Sequence, residues 1–138
     1  MHSRRILRNM KVLDSDFIIA LLRRNQDIEL KLDQLSESTE QIVTTVLNAH
    51  EVLFGTIHGS PKNGAVTERF FAGIGILNYD FKAMRETLDI IQFLGQTGER
   101  IGYFDEMIAG ICRANDATLI TRNIKHFKRV PKLKVEAW

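Results

Sequence analysis

Three widely separated acids stand among apolar residues in this sequence. Asp14 ends the apolar run VLD, Glu51 lies within TTVLNAHEVLFG, and Asp105 opens FDEMIAGIC. A buried carboxylate without a partner is costly, so such groups are normally paired, protonated or bound to a metal. For any one of these acids, a helix cap or a buried salt bridge is the commoner explanation. Taken together, the three predict a divalent-metal site that the fold assembles.

The kinds of candidate ligand favour a hard cation. Carboxylate oxygens without a cluster of His and Cys suit Mg²⁺ or Mn²⁺ better than zinc. His50, His58 and His126 do not have the spacing of a zinc site. The sequence also contains no Walker-type phosphate loop, no GxSxG motif and no arrangement that would make its single cysteine, Cys112, a nucleophile. We expect Cys112 to pack inside a helix bundle.

Short apolar strands alternate with helices along the chain, which predicts an α/β fold. The predicted strands are KVLDS, residues 42–43, GIGILNYD, ATLIT and KLKVEAW. The predicted helices are DFIIALLRR, DIELKLDQL, TTVLNAHEVLFGTI, AVTERFFAGI, DFKAMRETLDIIQFLGQTG and FDEMIAGICRAN, with a turn at SPKNG. This order indicates a three-layer α/β/α domain with a mainly parallel sheet of about four to five strands. Sites in such sheets lie beyond the carboxyl ends of strands, where both Asp14 and the segment TRN at 121–123 fall.

The same patterns give finer expectations for three helices. Ser15 and Asp16 are the candidate N-caps of the first helix. In the helix that opens with Asp105, the spacing places Asp105 at the core-facing edge and Glu106 in solvent. An apolar stripe is predicted on the helix that carries Glu51, consisting of Val46, Leu47, Phe54 and Ile57.

Length and charge set broader limits. A chain of 138 residues favours one domain, residues 1–138. No apolar run is long enough to span a bilayer, and the basic N-terminal segment lacks the pattern of a signal peptide, so we expect a cytoplasmic protein. Residues 1–13 and 121–138 are basic, whereas the segment between them is acidic. Basic ends fit a polyanionic partner, but a solubilising charge run explains them equally well.

Several segments together resemble a known family. VLDSDFIIALL, HEVLFG and YFDEMIAGICRANDATLITRNIKHFKRVPKLKVEAW resemble the PIN-domain ribonucleases, and among these the VapC-type toxins of prokaryotic toxin–antitoxin pairs. The resemblance runs from Val12 to Trp138, with the motifs in the expected order. It implies a crevice that binds one or two Mg²⁺ or Mn²⁺ ions and hydrolyses RNA, leaving a 5′-phosphate and a 3′-hydroxyl.

The resemblance also assigns residues. Asp14, Glu51 and Asp105 match the three core acids, and Asn123 stands where many relatives carry a fourth acid. Supporting roles fall to residues beside these positions: Ser15, Asp16 and Thr121. Asp16 could restore the charge missing at Asn123, but an N-cap is the commoner role for such an acid. Four cations flank the site in sequence as candidates for binding RNA phosphates: Arg122, Lys125, Lys128 and Arg129.

Three functional hypotheses follow from the resemblance. The first is a metal-dependent endoribonuclease toxin that forms homodimers and is neutralised by a small antitoxin, with exposed aliphatic faces of the first and later helices as candidate interfaces. The second is a weakened PIN module that binds RNA or a protein without cutting, which the Asn at position 123 keeps open. The third is a PIN nuclease of RNA maturation or decay.

Overall fold

A five-stranded parallel sheet forms the centre of the molecule. The structure is a computed structural model and describes residues 9–37, 41–59 and 64–138. The strands are β1 (Met10–Leu13), β2 (Gln41–Thr45), β3 (Gly75–Leu77), β4 (Thr118–Ile120) and β5 (Lys134–Glu136). Their order is β3-β2-β1-β4-β5, and every neighbouring pair is parallel. In the central register Val12 pairs with Val43 on one side and Leu119 on the other.

Helices cover both faces of this sheet. They are α1 (Ser15–Leu22), α2 (Gln26–Glu37), α3 (Val46–Ile57), α4 (Gly64–Ala72), α5 (Phe81–Thr97), α6 (Tyr103–Ala114) and the short α7 (Ile124–Phe127). Successive strand residues point to opposite faces, so Val12 joins a core with α5 and α6, whereas Leu13 joins one with α1 to α4. This confirms the predicted three-layer α/β/α architecture and the mainly parallel sheet.

The predicted strands and the six longer helices are all found, but details of capping and exposure differ. The N-cap of α1 is Asp14, whose carboxylate accepts a hydrogen bond from the Ser15 backbone N–H, so the prediction of Ser15 or Asp16 as N-cap is wrong. Helix α7 was not predicted. Most of the turn predicted at SPKNG lies outside the described residues. No helix in the described ranges is long and apolar enough to cross a membrane.

The apolar stripe predicted on α3 is also wrong. Val46, Phe54 and Ile57 are exposed, and Leu47 is only partly buried. The buried positions of α3 are Asn48, Ala49 and Val52. The helix is therefore rotated so that a small residue, a branched residue and an amide face the sheet. This rotation places His50 and Glu51 towards solvent.

Helices α5 and α6 approach each other closely at Gly110. A Cβ atom at this position would lie 2.0 Å from the Thr87 hydroxyl oxygen and 2.8 Å from the carbonyl oxygen of Ala83. The contact with a helix backbone cannot be relieved by a rotamer change. Gly110 therefore sets the distance between the two helices, and α6 carries Asp105 to the edge of the sheet.

We predict that Gly110→Ala lowers the free energy of unfolding by about 1–3 kcal/mol or more, because the added methyl overpacks this crossing. Urea denaturation measures the change. Gly95→Ala is the matched control, since Gly95 lies in α5 with no atom within 4 Å of the added Cβ. The control should be neutral or stabilising by up to about 1 kcal/mol, because alanine favours helix. Equal stability of both variants would contradict a tight crossing at Gly110.

Candidate active site

Asp14 lies at the carboxyl end of the central strand and holds three elements together. Its Oδ1 accepts hydrogen bonds from the Ser15 backbone N–H at 2.9 Å and from the Asn48 side-chain amide at 3.0 Å. Its Oδ2 accepts from the Thr121 hydroxyl at 2.7 Å. The donors come from α1, α3 and the residue after β4. One carboxylate thus orders the whole edge of the sheet, and Oδ2 keeps the greater capacity for a further partner.

Asn48 is a site residue that the sequence interpretation missed. Its side chain is fully buried and donates to both Asp14 Oδ1 and, at 2.9 Å, the Ser15 hydroxyl oxygen. Its carbonyl oxygen accepts from the Thr45 hydroxyl at 2.7 Å, and Thr45 caps α3 by accepting from the Asn48 backbone N–H. The sequence does carry one signal for Asn48. It is a polar residue three positions after the capping Thr45, on a helix face that is otherwise apolar.

The environment of Asp14 disfavours its charge. Burial raises the pKa of this carboxyl above its ordinary value, and the hydrogen bonds from Thr121 and Ser15 offset part of that effect. The negative charges of Asp105 and Asp16 raise the pKa of Asp14 further. The charges of Asp14 and Asp105 therefore interact unfavourably, and a bound cation would relieve that repulsion.

Asp105 is the second acid of this edge and is paired with a histidine. It lies in the first turn of α6, partly exposed, and its Oδ2 is 2.9 Å from the His126 Nε2. His126 belongs to α7, next to the buried Phe127. The sequence spacing argued against His126 as a zinc ligand and did not predict this contact with a candidate catalytic acid.

The prediction that Glu106 is solvated is wrong. Its side chain has no exposed surface, and both its oxygens accept hydrogen bonds from Arg100, at 2.6 Å from Nε and 2.7 Å from Nη2. Glu106 shares one face of α6 with Gly110 and Arg113, and this face does not point to solvent. That face packs on α5, where Arg113 contacts Glu86 and Asp89. The ion pair between the buried Glu106 and the exposed Arg100 fixes the segment that leads into α6.

Glu51 projects from the exposed side of α3 into an open groove of about 480 Å³. The groove is lined by His50, Glu51, Phe54, Ile101, Gly102, Tyr103, Phe104 and Asp105. Glu51 and Asp105 thus line the same groove. Asp105 and Asp14 interact through the repulsion between their negative charges.

Residues 121–123 connect β4 to α7 and support Asp14. Thr121 is fully buried, and its hydroxyl oxygen accepts from the Asn123 backbone N–H at 3.1 Å while its proton is donated to Asp14. The side chain of Asn123 is exposed and makes no capping hydrogen bond to α7. Asp16 is exposed in the first turn of α1, where a negative charge favours the helix.

The four cations proposed to contact RNA are all exposed: Arg122, Lys125, Lys128 and Arg129. Arg122 differs from the others because its guanidinium lies 4.1 Å from the centre of the Trp138 ring. Trp138 in turn packs edge-on against Phe17, with ring centres 5.2 Å apart. This stacking restricts Arg122. Lys125, Lys128 and Arg129 form no salt bridge with any acid among the described residues.

A divalent ion at this site would have few protein ligands. Within residues 9–37, 41–59 and 64–138, no three Asp, Glu, His or Cys side chains lie close enough together to hold a metal by themselves. Mg²⁺ does not need such a cage, because it is usually bound by one or two carboxylates together with water and substrate phosphates. Asp14 and Asp105 are carboxylates of this kind, so their chemistry suits a hard divalent cation.

Comparison with known proteins identifies the family. The PIN domain family matches residues 11–133, nearly the whole chain. The chain belongs to the PIN domain family. This confirms the resemblance inferred from the sequence motifs.

Individual PIN relatives are similar over most of their length. The chain is 27% identical over 108 residues to the tRNA(fMet)-specific endonuclease VapC of Salmonella typhimurium, covering 77% of this chain and 82% of that one. It is 27% identical over 129 residues to the ribonuclease VapC2 of Rickettsia felis, covering 92% and 96%. The crystal structure of VapBC2 from Rickettsia felis, bound to a DNA fragment from their promoter, superposes with a TM-score of 0.81 at 25% identity, covering 94% and 98%.

We predict that Asp14→Asn increases the stability of the metal-free protein at pH 7, measured by urea denaturation in EDTA. The folded-state pKa of Asp14 is raised, so wild-type stability falls as pH rises from the ordinary carboxyl pKa through the raised value. An amide removes this penalty, and Asn is as good an N-cap as Asp. Its oxygen can keep the bonds from Ser15 and Asn48, while its NH₂ group faces the Thr121 hydroxyl, which can rotate to accept instead of donating. The gain should therefore be present at neutral pH and disappear below the ordinary carboxyl pKa.

Asp27→Asn provides the control for this measurement. Asp27 is an exposed acid in the first turn of α2, where its charge favours the helix. Its replacement should lower stability by up to about 1 kcal/mol. A loss of stability in Asp14→Asn at pH 7 would contradict the view that burial dominates the electrostatics of Asp14.

Proposed function

We propose that this PIN-domain chain is a metal-dependent endoribonuclease and the toxin of a toxin–antitoxin pair. The observation that carries the proposal is the position of Asp14 at the carboxyl end of the central strand, where the fully buried Asn48 and Thr121 hold its carboxylate. Relatives named ribonuclease and endonuclease support RNA as the substrate. The solved VapBC2 complex supports a protein partner.

Asp14 and Asp105 would hold Mg²⁺ or Mn²⁺, with Glu51 as the third acid from the shared groove. A bound divalent ion supplies an activated water and neutralises charge on the scissile phosphate. The remaining work falls to the chain itself. Thr121 and Asn48 hold the Asp14 carboxylate in one orientation, and the Ser15 hydroxyl belongs to the same hydrogen-bonded group.

Asn123 takes the place where many PIN relatives carry a fourth acid. It can offer a carbonyl oxygen, but it brings no negative charge. Asp16 brings that charge nearby, since it is not occupied as the N-cap of α1 and its charge acts on Asp14. We propose that Asp16 contributes to attracting the cation and that Asn123 orients water or a phosphate. In the described ranges, neither side chain makes a hydrogen bond that would have to break first.

Partners and location follow from the proposed role. RNA phosphates would be bound by Arg122, Lys125, Lys128 and Arg129, and the protein would act in the cytoplasm. An antitoxin and a second copy of the chain would cover apolar surface. Large exposed apolar side chains lie on α3 and α5, including Ile57, Phe81 and Leu88, whereas Ile19 to Leu22 of α1 are partly buried against the core. Later helices, and not the first, therefore offer the candidate interfaces.

We predict that purified protein cleaves unstructured RNA with Mn²⁺ and not with EDTA, and that Asp14→Asn and Asp105→Asn each lower the rate at least about 100-fold. Loss of a metal-binding carboxylate removes the ion together with the water that it activates. Asp116→Asn is the matched control, because Asp116 is exposed at φ 51, a conformation that Asn also tolerates. Cleavage is followed by gel electrophoresis of end-labelled RNA.

Three other outcomes would change the proposal. Equal cleavage by the wild type and both variants would indicate a contaminating nuclease. RNA that binds but stays intact with every divalent metal would favour a non-cutting PIN module. Cleavage without any partner protein encoded beside the gene would favour a nuclease of RNA maturation or decay.

We further predict that Lys125→Gln and Lys128→Gln each weaken RNA binding and reduce the dependence of log K on log salt by about 0.7, the value for one phosphate contact to a single strand. Fluorescence anisotropy at several salt concentrations, in EDTA, measures both quantities. Arg69→Gln serves as the control, because Arg69 is exposed in the last turn of α4, before β3 and hence at the opposite edge of the sheet. Equal slopes in all variants would exclude these lysines from the RNA contact.

A further inference from the structure

The groove beside the acids carries a row of aromatic rings on α3. His50, Phe54 and His58 stand at intervals of four residues and therefore lie on one face of the helix. The His50 and Phe54 rings are nearly parallel, with 11° between their planes and 6.3 Å between their centres. The Phe54 and His58 rings meet at 65° with centres 5.0 Å apart. Phe54 keeps 54% of its surface exposed.

A second exposed ring reaches the same groove from α6. Tyr103 begins that helix, lines the groove with Phe54, and is 57% exposed. Exposed rings that share one groove mark a binding surface more often than single exposed apolar residues do. Neither ring is needed for the cores on either side of the sheet, because neither belongs to their buried or partly buried members.

We propose that the groove between Phe54 and Tyr103 is a subsite for one unpaired nucleobase of the RNA, next to the phosphate that is cut. The inference rests on the proposed nuclease function and adds a substrate requirement to it. Every nucleobase has a flat face that stacks on an aromatic ring, and unpaired bases are the ones free to do so. The subsite selects RNA with at least one unstacked base at the cut.

The charges of the groove disfavour an anionic occupant and are compatible with a neutral base. Glu51 and Asp105 line the same groove, so an anionic phosphate or an acidic peptide would be repelled there, whereas a neutral base is not. Glu51 is three residues before Phe54 on α3, which makes the two side chains neighbours on the helix surface. A base stacked on Phe54 would hold its own phosphate close to the acids.

The backbone at the other wall of the groove offers hydrogen-bond donors. The N-cap of α6 is Gly102, at φ 103, and it has no side chain to accept the N–H groups of the first turn. Such N–H groups are free to bind the carbonyl or ring nitrogen atoms at the edge of a base. A volume of about 480 Å³ also lies within the range of about 300–1,000 Å³ that is typical of small-molecule sites, and suits a nucleotide better than a duplex.

The test compares Phe54→Ala with wild type, using a short unstructured oligoribonucleotide that carries 2-aminopurine, in EDTA so that the RNA stays intact. We expect wild-type protein to quench the fluorescence on binding, and Phe54→Ala to lose the quenching and to bind roughly tenfold more weakly or worse. Phe54→Trp should keep both properties. Phe93→Ala is the matched control, since Phe93 is a similarly exposed ring on α5 outside the groove, and should bind as wild type does.

An abasic oligonucleotide separates stacking from indirect effects. Removing the base that contacts Phe54 should weaken binding to wild type but cause no further loss in Phe54→Ala. The free-energy losses are not additive, because either change alone already removes the same contact. The affinity for Mn²⁺, measured by calorimetry without RNA, should be unchanged in Phe54→Ala. A fall in Mn²⁺ affinity would show that the substitution acts through the acids and would overturn the base subsite.

The other outcomes distinguish this inference from the nuclease proposal. If wild type cleaves RNA and Phe54→Ala binds and cleaves equally well, the base subsite is wrong while the nuclease stands. If wild type neither binds nor cleaves RNA, both are wrong. If Phe54→Ala keeps its RNA affinity and instead loses a co-expressed antitoxin, the groove is a protein-docking surface and the base subsite is overturned.

Discussion

The buried carboxylate of Asp14 is the constraint on which this edge of the molecule depends. It ends the central strand, caps α1, and receives donors from α3 and from the residue after β4. Each of these elements must therefore reach the carboxyl end of β1 in a fixed position. The same burial disfavours the charge, and the nearby acids add repulsion. The site is held in place by hydrogen bonds while being electrostatically strained, which is the condition in which a bound cation is most favourable.

An ion pair with one buried member controls the other half of the site. Glu106 is enclosed completely and is bonded twice by the exposed Arg100, which fixes the loop before α6. Removing Arg100 would leave the Glu106 charge inside the protein without its partner, which is costly. The neighbouring Asp105 takes its place at the groove from this turn of the helix. The close approach of α5 at Gly110 fixes the remaining position of α6. The adjacent acids of α6 thus differ in their surroundings. Glu106 is buried in an ion pair, whereas Asp105 lines the groove.

The fold and the position of Asp14 at the end of the central strand could be predicted from the sequence, but the orientation of the helices could not. Apolar runs mark strands wherever a strand is buried on both faces, and their ends located Asp14 and Thr121. Helix rotation depends on what packs on each face. Gly110 shares a helix face with Glu106, and this face packs against α5. Glu106 is therefore buried, although the sequence spacing placed it in solvent. Phe54 suggested a core residue and is exposed. Asn48 and His126 find their partners across 34 and 21 residues respectively, a relation that no local pattern contains.

The double role of Asp14 has an evolutionary consequence. In the proposed nuclease, Asp14 both caps α1 and carries the chemistry, and its replacement by Asn keeps the cap and relieves the cost of a buried charge. A single-nucleotide change would then silence the proposed activity and leave a folded chain with its outer surfaces intact. Under the proposed toxin–antitoxin role, such a chain would compete with an active copy for the antitoxin.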